Sequence, residues 1–463
     1  MTAILFFLAL LALPLIGYGF LSLGDFRSLH GASRVGFAGG LGALALCGEM
    51  LLLTSLRVPW SVWLLLCPIL FLQIRQRPRS AKPKAFDWKS RDCVPALLLI
   101  GLTLFATAYA AGTSRATSTD LLFFWGTKGQ RFAQARAIDA EFLRDPAHLL
   151  MHADYPPMLP CLYAWAALVA GKFAWGAALF SLPVFLALTL LTFFGFARRS
   201  LSRREAAEHT SLLAALLAFV MVAGYTAGNA EPLLVYFEVT ALSALVFAAD
   251  RPEGVSVAAF ALAGAALTKV EGVVFAALVI AGVVLFIKDA RRWHRLALLA
   301  GAPALALGAW SLFCRLHGFS DVYDLHRLSL PTFGHFSLVL KDMTHQASYG
   351  FWFVPWVVLL LLSLPGRRTG SSLMAITVAL GFGVFIVYAY LTSIESPHLW
   401  IGWSGARVLI TPLVCLFFFG TARIAAMSSE SDTRTSKGRR AGHAGERAPA
   451  APLDRLTPIR PRP

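Results

Sequence analysis

The stretch Met151–Ala170, MHADYPPMLPCLYAWAALVA, decides how this chain is threaded. It opens on His152, Asp154 and Tyr155. The prolines at 156, 157 and 160 then forbid a helix interior across the turn. The apolar part, residues 158–170, is 13 residues long. At 1.5 Å per residue it reaches about 20 Å, short of the roughly 30 Å of hydrocarbon in a bilayer. We therefore read it as an interfacial helix that does not cross. If it did cross, every segment downstream would change sides. RRSLSRR (198–204) would then face away from the other strongly basic segment, RQRPRSAKPKAFDWKSRD (75–92).

Outward from that turn, apolar runs of spanning length recur through the 463 residues, near 2–22, 35–56, 58–74, 93–111, 174–197, 211–228, 232–249, 255–268, 271–287, 296–314, 350–365, 371–391 and 404–424. The chain is 57% hydrophobic and only 14% charged, against about a quarter charged for a soluble domain. The pattern predicts an all-α polytopic membrane protein of about 13 transmembrane helices. The first run lacks a basic leader and a small-residue cleavage site, so it reads as a retained helix. With 75–92 cytoplasmic and 158–170 not crossing, 29 of the 41 Lys and Arg fall on the cytoplasmic side and 12 on the other. The N-terminus is then outside and the C-terminus inside. The organisation expected is an N-terminal group of helices with a basic loop (1–92), a membrane core (93–424) with outer loops 112–173 and 315–349, and a disordered basic tail (428–463).

The formal charge of +16 is that of basic cytoplasmic loops held against anionic lipid. It calls for no nucleic-acid partner. The cysteines at 47, 67, 93, 161, 314 and 415 show no CxxC or metal spacing and read as packing residues.

The ionisable groups that could carry chemistry lie in the outer turns. In TSRATSTDLLFFWGTKGQRFAQAR (113–136), an ideal helix at 100° per residue brings Asp120 and Arg131 to within about 20° of one face, with Lys128 about 80° round. Phe123, Phe124 and Trp125 would meet the membrane interface. HADYPP either presents His152, Asp154 and Tyr155 toward Asp120 or is a plain proline stop with Tyr155 as a belt aromatic. GNAEP (228–232) places Glu231 between two spans, and TKVEG (268–272) places Lys269 and Glu271 likewise. In SIESPHLWIGWSGARVLITPL (393–413), Arg407 either snorkels to the surface or binds an anionic head group, since a guanidinium matches phosphate oxygens in geometry and charge. In the second outer loop His317, Asp321, Asp324, His326 and His335 have no specific metal spacing.

Taken in order, the early loop acid Asp120, HADYPPMLP, GNAEP, ALTKVEG (266–272) and SGARVLITPL (404–413) resemble bacterial integral-membrane glycosyltransferases of the GT-C fold, relatives of the protein O-mannosyltransferases and of lipid A aminoarabinose transferase. The resemblance covers roughly residues 93–424. It implies a GT-C-like fold with interfacial helices in a large first extracytoplasmic loop. The implied donor is a sugar on polyprenyl phosphate, delivered at the outer face of the bacterial inner membrane to a glycan, lipid or protein acceptor. Asp120 matches the catalytic aspartate by position. Many relatives carry two adjacent acids there, whereas Asp120 has Thr119 and Leu121 as neighbours, so the base lies between Asp120 and Asp154. Lys128, His152, Tyr155, Glu231, Lys269, Glu271 and Arg407 are the candidate substrate-binding groups. The resemblance requires no cofactor and permits a divalent cation, Mg or Mn, near Asp120. The rival reading is a transporter or lipid-linked sugar flippase, although the chain shows no half-chain symmetry of the transporter kind.

Overall fold

The computed structural model describes residues 1–22, 26, 28–29, 31–75, 93–114, 118–288, 292–319, 330–348, 353–363, 366–392 and 396–445. Among these the regular structure is helical throughout. The N-terminal group is α1 (Thr2–Leu11), α2 (Leu13–Tyr18), α3 (Gly31–Ser55) and α4 (Val62–Arg75). After it come α5 (Val94–Thr113), α6 (Gly126–Ala135), α7 (Ala140–Arg144), α8 (Met158–Ala170) and α9 (Trp175–Ala178). The central helices are α10 (Ser181–Ala197), α11 (Arg203–Ala223), α12 (Glu231–Ala248), α13 (Pro252–Thr268), α14 (Val270–Phe286) and α15 (Trp293–His317). The last group is α16 (Leu330–Phe333), α17 (Phe336–Ser348), α18 (Phe353–Ser363), α19 (Gly370–Leu391), α20 (Pro397–Val408) and α21 (Ile410–Gly445).

Among the described residues, nine helices are long and apolar enough to cross a membrane, or ten if α17 and α18 form one bent span. Three more expected spans appear as the shorter apolar helices Val62–Leu72, Pro252–Thr268 and Val270–Phe286. The protein is a multi-pass membrane protein. Helix α12 is its axis, buried along nearly its whole length between α10, α13 and α21. By contrast α5 and α15 show most of their surface outward, with Leu98, Leu102, Phe105, Leu305 and Leu316 exposed as a lipid-facing surface requires.

Three boundaries differ from the sequence reading. Helix α11 starts eight residues early because Ser202 and Glu205 form a capping box that draws the polar segment into the helix. It also ends at Ala223, and Tyr225, at φ 53°, begins a turn where the apolar run had suggested helix to 228. Helix α21 continues in backbone to Gly445 past the expected start of a disordered tail. The stretch 428–445 contains no proline to stop it, the first lying at 449. The stretch 158–170, expected at the interface, is enclosed by protein: Met158 to Trp165 are all buried, and α8 packs on α1, α3 and α6.

Contacts between turns gather at two opposite ends of the bundle. At one end Trp60 N donates to Arg136 O (2.8 Å), Ile138 N to Thr54 Oγ1 (3.2 Å) and Ser118 Oγ to Ala227 O (2.6 Å). At the other, Arg199 pairs with Glu253 (3.1 Å), Arg295 donates to the carbonyls of Ala249 and Asp250 (3.2 Å each), and Arg423 caps Ser363 and Gly366. Each contact joins segments that the charge count put on one side.

Candidate functional site

Four sequence-distant turns meet at the first end. Asp120 stands just before a wide π-turn, Leu121–Trp125. Glu231 is the first residue of α12, and Glu271 lies in the first turn of α14. Carboxylates are favoured at such positions by the exposed N–H groups and the helix dipole. Lys269 is a single extended residue, φ −159° and ψ 158°, between α13 and α14. That break turns its side chain out of either helix and into the gap between Glu231 and Glu271.

Arg407, near the end of α20, ties the group together. Its guanidinium pairs with Asp120 and lies 3.8 Å from Glu231 Oε1. Lys269 Nζ lies 3.1 Å from that same oxygen and 2.8 Å from Glu271 Oε1. The result is a chain of alternating charge, Asp120–Arg407–Glu231–Lys269–Glu271, with three carboxylates on two cations. Glu231 is almost wholly buried, whereas the Asp120 side chain keeps 34% of its surface open. The stem of Arg407 passes Gly224, where a Cβ would lie 3.6 Å from its Cγ.

The turn between α11 and α12 is docked by contacts that the motifs did not reveal. Tyr163, buried in α8, donates its hydroxyl to Gly228 O (2.9 Å). Gly228 adopts φ 80°, and a Cβ there would come within 2.9 Å of the Leu121 side chain. Only glycine fits both the left-handed backbone and the close approach. A tyrosine inside an apolar helix carries no sequence signal for this role.

The remaining candidates form a second cluster on the other side of the π-turn. Lys128 is nearly closed to solvent; its Nζ donates to His152 O (2.7 Å) and lies 4.3 Å from the centre of the Phe124 ring. Tyr155 packs edge-on against Phe124 and Trp125, with centroids 5.4 and 5.8 Å apart. Trp310 Nε1 donates to Asp154 O (2.7 Å). His152 takes a left-handed backbone at φ 48°, a strained conformation for this residue. Burial pulls the Lys128 ammonium down to about 7, although the Asp154 carboxylate nearby opposes the shift. Burial and the charge of Lys128 together hold the His152 imidazole down at about 4.

Two expectations about this loop are corrected. Asp120 and Arg131 do not act as a pair: Asp120 meets Arg407, and Arg131 meets Asp139 at 2.9 Å. The π-turn between them advances less than 100° per residue, so the ideal-helix register slips. Nor do all three aromatics meet the interface: Phe123 is 70% exposed, whereas Trp125 is buried. Asp321, Asp324 and His326 lie outside the described residues. Among those described, no group of three or more His, Cys, Asp or Glu is placed to hold a metal ion. Asp120 is engaged by the Arg407 guanidinium through its Oδ2.

The sequence model of the dolichyl-phosphate-mannose-protein mannosyltransferase family matches residues 154–313. That stretch, about a third of the chain, contains Asp154, Tyr155, Glu231, Lys269 and Glu271; Asp120 and Arg407 lie outside it. No curated protein sequence matches the chain. Across its central helices this multi-pass membrane protein is similar to the dolichyl-phosphate-mannose-protein mannosyltransferases, a GT-C type of membrane glycosyltransferase.

Proposed function

We propose that the protein moves a sugar from a polyprenyl-phosphate donor to a glycan, lipid or protein acceptor at the extracytoplasmic face of the inner membrane, inverting the anomeric carbon. The observation that carries this reading is the bridge that Arg407 makes between Asp120 and Glu231. It puts an accessible carboxylate and a fork of N–H donors side by side at the bundle end where the outer loops meet. Sugar transfer by single displacement needs that pairing: a base for the acceptor's proton and positive charge for the departing phosphate.

In the reaction, the acceptor oxygen forms its bond to the anomeric carbon as the bond from that carbon to the phosphate oxygen breaks. The bonding pair leaves with the phosphate, and the acceptor's proton passes to Asp120. Arg407 and Lys269 stabilise the growing phosphate charge. At about 4 Å and an effective dielectric near 20, one such unit pair is worth roughly 4 kcal/mol. Realised only in the transition state, that is about three decades in rate. Glu231, held by both cations, orients them, a role that its burial suits better than contact with sugar hydroxyls. Lys128 holds the 152–155 turn and leaves the phosphate to the other two cations. Asp154, whose backbone is fixed by Trp310, stands as the second candidate base.

The test is Asp120→Asn in purified protein reconstituted in lipid with a labelled polyprenyl-phosphate sugar. Loss of transfer at unchanged protein level supports Asp120 as the base. Near-normal transfer moves the role to Asp154. Movement of the intact labelled lipid across the bilayer without sugar transfer replaces the reading with that of a flippase.

A further inference from the structure

One fully buried acid lies below the charge chain and makes no ion pair with it. Glu238 is seven residues beyond Glu231 on α12, which at 100° per residue returns it to within about 20° of the same face and about 10 Å deeper. It has no accessible surface. Its Oε1 accepts the Thr411 hydroxyl at 2.7 Å, and its Oε2 is buried without a hydrogen-bond partner. Among the described residues no cation lies within ion-pairing distance of it. An acidic side chain at such depth is costly and is kept where it serves the site.

The position of Thr411 gives the connection. It stands one turn beyond Arg407, at the start of α21, and the backbone between them stays helical through Leu409 (φ −72°, ψ −12°). Helices α12 and α21 both run from the charge chain toward the opposite end of the bundle. The α20–α21 stretch therefore meets α12 at two levels: Glu231 with Arg407 above, and Glu238 with Thr411 below. The lower contact is the short one, and it ties α12 to the helix that carries Arg407. From there the Arg407 side chain climbs past Gly224 to reach Asp120 and Glu231.

We propose that Glu238 and Thr411 are positioning residues: their hydrogen bond fixes the height and rotation of the helix that carries Arg407, and so sets where the Arg407 guanidinium meets the donor phosphate. The inference rests on the transfer reading above and on Arg407 as the phosphate ligand.

The experiment measures the affinity of full-length protein in nanodiscs for undecaprenyl phosphate, alongside the KM and kcat of sugar transfer. Thr411→Val and Glu238→Ala should each weaken binding and raise the donor KM about tenfold. Thr411→Ser and Glu238→Gln keep the hydrogen bond and should stay within about twofold of the parent, with the pH–rate profile unmoved. The double variant Glu238→Ala/Thr411→Val should be no worse than either single one. In an Arg407→Ala background, Thr411→Val should have no further effect. Equal loss for Glu238→Gln and Glu238→Ala, or a full additional loss in the Arg407→Ala background, overturns the proposal. So does a parent-like Thr411→Val. Because binding is read apart from transfer, a protein that binds the lipid phosphate but moves no sugar rejects the transfer reading and leaves this one decided by the affinities.

Discussion

Lys128 donates its ammonium proton to the backbone carbonyl of His152 at 2.7 Å, from a place almost closed to water. The two residues flank the loop that carries Asp154, and the environment depresses both side-chain pKa values. His152 titrates near 4 in the folded loop against an ordinary 6.5. Between those values the unfolded chain holds a proton that the folded one does not, so stability rises with pH across that window and is lost on acidification. For Lys128 the window lies between about 7 and 10.5, again with stability rising as pH rises. Backbone amide exchange over 146–157, corrected for intrinsic rates, should quicken as pH falls from 6.5 to 4. Lys128→Met should flatten the rise in thermal stability between pH 7 and 10.

Gly228→Ala should strain the turn twice, through its left-handed φ of 80° and through the Leu121 side chain 2.9 Å from the new methyl. A cost of about 1–3 kcal/mol is expected. It should be visible as a lowered unfolding temperature in detergent together with reduced transfer, because the turn carries Glu231.

Arg407→Lys keeps the charge but loses the planar fork that serves two carboxylates at once. Transfer should fall by a factor on the order of 10²–10³, and Arg407→Ala should fall at least as far. Steady-state rates at saturating donor check this, and parent-like rates for the alanine variant would remove Arg407 from the reaction.

At the far end, Glu253→Ala leaves Arg199 partly buried without its partner. Removing one member of such a pair costs on the order of 3 kcal/mol. Stability should drop while the donor KM stays unchanged. A raised KM would show that the two ends are coupled.

The helices were legible because a membrane-spanning helix needs about 20 apolar residues, and such runs stand out in any composition. The grouping of turns was legible because Lys and Arg mark one side. The candidate residues 120, 231, 269, 271 and 407 were each visible as ionisable groups at span ends, and their assembly follows from that shared side. Their pairing was not visible. The π-turn after Asp120 changes the register in a way that LLFFW does not announce. The extended backbone at Lys269 depends on two helices packing around it. Trp125 packs on Tyr155 and under Lys128, and Trp310 reaches Asp154 across 156 residues of sequence, contacts that spacing alone does not announce. Glu238 sits within an otherwise apolar span, so only its depth and its contact with Thr411 set it apart.

Glu231 is shared by both cations, so every positive charge at the centre is already satisfied before any lipid arrives. On the proposed transfer reading, an incoming phosphate competes with a resident carboxylate for each contact, and the carboxylate returns once the carrier is spent. On that reading, such an arrangement favours quick release of the spent carrier over tight capture.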